Sequence, residues 1–72
     1  MKNFWLVVGI NARTAQREVV GTCLYRDTAE CHKIDLERES PRRWVGVTIE
    51  YGSLEEYQQQ EIPLSAAKGW IN

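Results

Sequence analysis

Apolar residues alternate along the first stretch of the chain. In Asn3–Ile10, Phe4, Leu6, Val8 and Ile10 fall on one side of an extended backbone, and Trp5 and Val7 on the other. Both sides are apolar, which predicts a central strand. Asn11–Arg17 is polar and reads as a loop. Val19–Tyr25 is rich in β-branched and aromatic residues and predicts a second strand, with Gly21 marking a bulge. Arg43–Tyr51 carries the clearest alternation: Val45, Val47, Ile49 and Tyr51 on one face, Trp44, Gly46, Thr48 and Glu50 on the other.

Asp27–Glu39 fits two templates. As a helix it sets Ala29 and Leu36 nearly opposite Cys31 and Ile34, which is a poor apolar stripe. With period two, His32, Ile34 and Leu36 face one way and Lys33, Asp35 and Glu37 the other. The strand template fits better, so a turn at Asp27–Ala29 and a strand at Cys31–Arg38 are expected. Ser40 and Pro41 mark the next turn. Ser53 is a good N-cap, and Glu56 completes a capping box for a short helix, Leu54–Gln60, with Leu54 and Tyr57 inward. Pro63 stops it. Ser65–Lys68 reads as one further turn ended by Gly69, and the apolar Trp70 and Ile71 as a docking tail. The expected fold is α+β: a small antiparallel meander of about four strands with a short C-terminal helix. The alternative is a two-layer ββαβα domain with its first helix in Asp27–Glu39.

Length sets this at one small domain, residues 1–72. Nine Lys+Arg against ten Asp+Glu argue against a domain held to nucleic acid or membrane mainly by its overall charge. No apolar run approaches the roughly 20 residues of a membrane span. The run Phe4–Ile10 lacks the length and the small-residue cleavage site of a signal peptide. A cytoplasmic setting is expected, with Cys23 and Cys31 as free, mostly buried thiols.

Chemistry finds little purchase. Cys23, Cys31 and His32 show no paired metal-ligand spacing, so no metal or other cofactor is expected. His32 is the sole histidine, and no nucleophile motif or phosphate loop accompanies it. The carboxylate pairs Asp35/Glu37, Glu37/Glu39 and Glu55/Glu56 read as solvated charge. The expectation is therefore a protein that is not an enzyme.

Two features suggest binding instead. Trp5 and Trp44 lie opposite the aliphatic stripes of their strands, and Arg42 and Arg43 edge them; Trp and Arg dominate interface hot spots. The stretch Glu50–Glu61 holds Glu50, Glu55, Glu56 and Glu61 with no basic residue between them, a negative patch suited to a basic groove. Trp44, Arg42, Arg43, Trp5, Glu55 and Glu56 are thus the candidate partner-binding residues. The layout is similar in size and style to small accessory proteins of phages and mobile elements, including anti-CRISPR and anti-restriction inhibitors. That similarity implies a non-catalytic module that binds and inhibits a host or defence protein. A single-stranded nucleic-acid binder stacking bases on sheet-face aromatics is the alternative. Self-association into a homodimer through a sheet face or strand edge is compatible with the first reading.

Overall fold

The computed structural model describes residues 2–39 and 42–64. Five elements follow in order: β1 (Phe4–Asn11), β2 (Arg17–Cys23), α1 (Arg26–Glu39), β3 (Trp44–Gly52) and α2 (Leu54–Gln59). The strands form one antiparallel sheet in the order β2-β1-β3. The two-sided apolar pattern of β1 has its cause here, because β1 is the central strand. The class is α+β, with three strands rather than four. The expected strand at Cys31–Arg38 is part of a helix instead, and the ββαβα alternative describes the element order.

The sheet needs a cover, and that need overrides the weak period-two signal in α1. Ala29 is fully buried and Leu36 packs beside it, while Cys31 and Ile34 face solvent. The inward stripe is narrow. Its small Ala29 lets the helix approach the sheet closely, and straight-chain Arg, Glu and Lys sustain the exposed face. The pairs Arg26–Glu30 (3.3 Å) and Lys33–Glu37 (3.9 Å) join successive turns.

Two bulges correct the simple alternation. Val7 pairs with Gly21 and Val8 with Val19, so Val20 is the extra residue, one position before the expected Gly21. Ile10 pairs with Gly46 and Asn11 with Trp44, so Val45 is skipped. The second bulge turns Trp44 onto the face of Val47 rather than opposite it. Val7, Val20, Cys23, Ala29, Trp44 and Val47 form the core under α1. Leu6, Val8, Val19, Tyr57 and Ile62 form a second core on the other face, under α2 and the segment after it. Both faces of the sheet are therefore covered. Val19 N–H donates to the Pro63 carbonyl at 2.9 Å, and Leu64 bridges Val19 in parallel, so this segment also meets β2.

The α2 face carries one polar network. The Glu50 carboxylate accepts from Arg17 at 2.6 Å, from Thr48 Oγ1 at 2.9 Å and from the Tyr57 hydroxyl. Burial alone would raise the Glu50 pKa; the hydrogen bonds from Tyr57, Arg17 and Thr48 outweigh it and hold the carboxyl below its ordinary value. Tyr57 is pushed up to about 12, first by burial and then by its bond to Glu50. The helix starts as the sequence indicates: Ser53 Oγ accepts from Glu56 N–H at 3.2 Å. The expected turn at Ser65–Lys68 and the tail Trp70–Ile71 lie outside the described residues.

Candidate functional site

The expected patch of Trp5, Trp44, Arg42 and Arg43 is not one surface. Trp5 pairs with Tyr51 at one end of the sheet and Trp44 with Asn11 at the other, six residues along β1 and so about 20 Å away. Trp44 is a core residue at 6% exposure. Its ring lies over Gly9, where a Cβ would come within 2.6 Å of it. The bulge at Val45 is the reason, since it turns Trp44 under α1. Arg42 and Arg43 are exposed, and the Arg43 guanidinium sits 5.4 Å from the centre of the Trp44 ring. On the sheet face shared by the two tryptophans, α1 covers the Trp44 end, while Trp5 at the other end stays half-buried.

The acidic stretch also divides. Glu50 is neutralised by Arg17. Glu55 and Glu56 stay exposed in the first turn of α2, where negative charge complements the helix dipole and the cap at Ser53. They lie on the α2 side, away from α1.

What the fold does assemble is a different aromatic cluster. Trp5 and Tyr51 are cross-strand neighbours with ring centres 4.9 Å apart and planes tilted by 55°. Trp5 is half-buried against the α1 core, and Tyr51 is 59% exposed. The Arg26 guanidinium lies 5.8 Å from the Trp5 ring centre, within cation–π range. Cys23 also pairs with Trp5, and the next two residues, Leu24 and Tyr25, are exposed apolar side chains leading into α1. Trp, Tyr and Arg at one place form the composition of a protein-binding hot spot. Sequence reasoning named Trp5 but missed Tyr51, Arg26 and Tyr25. The available signal was Tyr51 sharing the odd-numbered face of β3; its contact with Trp5 depends on register between strands 40 residues apart.

A groove of about 490 Å³ opens from Arg26 along β3. Arg26, Glu30, Lys33 and Ile34 form its α1 wall, and Val47, Thr48 and Ile49 its β3 side. It is mixed in character, with an apolar floor and two cations against one anion on the wall. Among the described residues no cluster of His, Cys, Asp or Glu could hold a metal ion, and no helix is long and apolar enough to cross a membrane.

Compared with known protein families, curated proteins and solved structures, the chain shows no significant match.

Proposed function

We propose that this chain is a non-catalytic protein-binding module that engages another protein through the Trp5–Tyr51–Arg26 cluster and the groove beside it. The observation that carries this reading is the cluster itself. An exposed Tyr51 leans on a half-buried Trp5 beneath an exposed arginine, bordered by Leu24 and Tyr25. Leu24, Tyr25 and Tyr51, three of the exposed large hydrophobics among the described residues, gather at this one end, whereas Val45 and Leu64 stand apart from it, and such a local apolar–aromatic group supports a recognition role. In its sharper form the module is a cytoplasmic inhibitor or adaptor that occupies its partner's surface. A phage or mobile-element accessory protein acting on a host or defence protein is the setting its layout suggests.

A pull-down from cell lysate, with and without nuclease, tests the reading. Wild type runs beside Arg26→Ala/Tyr51→Ala and beside Glu55→Ala/Glu56→Ala, with folding of each checked by circular dichroism. One stoichiometric protein is expected to survive nuclease, to be lost with the first variant and to remain with the second. Hot-spot truncations of this kind weaken binding by more than about tenfold. A nuclease-sensitive catch, or equal capture by all three proteins, would remove the cluster from the interface.

A further inference from the structure

The two edges of the sheet are treated differently. β2 is met by Pro63 and Leu64. The edge of β3 facing away from β1 has no strand partner among the described residues. Such an edge presents a row of backbone donors and acceptors, and proteins usually blunt it with short length, Lys, Pro or bulges. β3 is nine residues long with no Lys and no Pro. Its one charged side chain, Glu50, is held by Arg17 on the α2 face. Its bulge is confined to the Val45 end, which leaves Gly46–Gly52 in regular pairing.

On the sheet side the groove is lined by β3 alone, through Val47, Thr48 and Ile49 of the strand that carries this edge. We propose, resting on the protein-binding reading above, that edge and groove together take one extended, acidic segment of the partner, added as a fourth strand next to β3. The side chains that such a strand turns toward α1 recur every second residue, about 6.8 Å apart. Along the α1 wall, Arg26 and Lys33 are separated by seven residues, about 10 Å of helix, with Glu30 between them. Carboxylates at positions i and i+4 of the added strand, about 14 Å apart, come within reach of the two long cationic side chains. The position between them, i+2, faces Glu30, which disfavours a third carboxylate, together with Ile34 of the α1 wall and Val47 and Ile49 of the floor, so it takes an apolar residue. The segment recognised is carboxylate–x–apolar–x–carboxylate. Arg26 and Lys33 each have a partner on their own helix, but these are exposed pairs that a ligand carboxylate competes with at little cost.

Three synthetic nonapeptides on one threonine–valine alternating frame test this, carrying Asp, Ser or Lys at positions i and i+4. Binding is followed on the ¹⁵N-labelled full chain by amide shifts and hydrogen exchange. The Asp peptide is expected to bind roughly tenfold more tightly than the Ser peptide, the worth of two exposed ion pairs. The Lys peptide is expected to bind most weakly. Amides on alternate residues of β3 become protected in the complex. Arg26→Gln/Lys33→Gln abolishes the preference for Asp but keeps the β3 protection. If all three peptides protect β3 equally, strand addition stands and the acidic specificity falls. If none protects β3 at millimolar concentration, strand addition falls, while a pull-down lost in the Tyr51 variant would still uphold the protein-binding reading. Protection of β3 that grows with protein concentration in the absence of peptide would give the edge to a second copy and overturn the proposal.

Discussion

Glu50 shows how much one residue's role depends on its neighbours. In the chain it heads an acidic stretch; in the fold it accepts hydrogen bonds from Arg17, Thr48 and Tyr57. Its folded pKa lies below the ordinary value of 4.5, so its ionised form stabilises the fold above that pH. This contribution is lost as pH falls from 4.5 through the lower folded value. Tyr57 has the opposite sign: its pKa rises from 10.0 to about 12, so its contribution is complete below pH 10 and lost from there toward 12. Denaturant unfolding across pH should show both limbs. Glu50→Gln is expected to cost about 1–2 kcal/mol at neutral pH and to shrink the acid limb. An unchanged acid limb would mean that the network carries no stability. Gly9 is likewise defined by its neighbour, the Trp44 ring. A methyl group there collides with the rigid Trp44 ring, so Gly9→Ala should cost about 1–3 kcal/mol and alter tryptophan fluorescence. Retention of wild-type stability and emission would show that the ring is free to move aside.

Among the elements, α2 was readable because its start is a local event. Ser53 caps Glu56 N–H three residues ahead, and no distant residue is needed to recognise it. Ser53→Ala should cost about 1 kcal/mol, read from the shift in unfolding midpoint, and Ser53→Asp should recover part of it. Equal loss in both variants would trace the cost to packing at this fully buried site rather than to the cap. The first helix is the contrary case. Its inward stripe is little more than Ala29 and Leu36, so its apolar periodicity is weak, and His32, Ile34 and Leu36 mimic a strand. The β3 stripe was read correctly from Val47 to Tyr51, but alternation breaks at Val45, where a bulge moves Trp44 to the other face. A bulge belongs to a pair of strands, and the alternation of one strand does not contain it.

The described residues form a three-stranded sheet closed on both sides, with α1 on one face and α2 with Ile62 on the other. This arrangement separates the two cysteines. Cys23 sits in the α1 core, where burial pushes its thiol pKa up; Cys31 lies on the outer face of α1. The expectation of two mostly buried thiols holds for one of them. A thiol reagent at neutral pH should label one equivalent quickly in the folded protein, and Cys31→Ser should abolish that fast phase. Cys23 should react only on unfolding. Fast labelling of both would place the opening of the α1 layer among the rapid motions of the native state. With both faces packed, Leu24, Tyr25 and Tyr51 are left exposed at one end of the sheet, and the outer edge of β3 is left without a strand partner among the described residues.

By itself the sequence determined the features that arise within a few residues. Alternation and β-branched composition marked the three strands, alternation also marked a fourth at Cys31–Arg38 that the fold makes helix, and a capping box marked α2; together they pointed to an α+β domain. The tertiary structure decided α1, because covering the sheet outweighs a faint helical stripe. It decided that Trp44 is core, because a bulge reverses its face and Gly9 leaves room for its ring. It also decided the candidate surface. Trp5, Arg26 and Tyr51 are far apart in the chain and carry no shared motif. Only strand register and the helix packed across it bring them together.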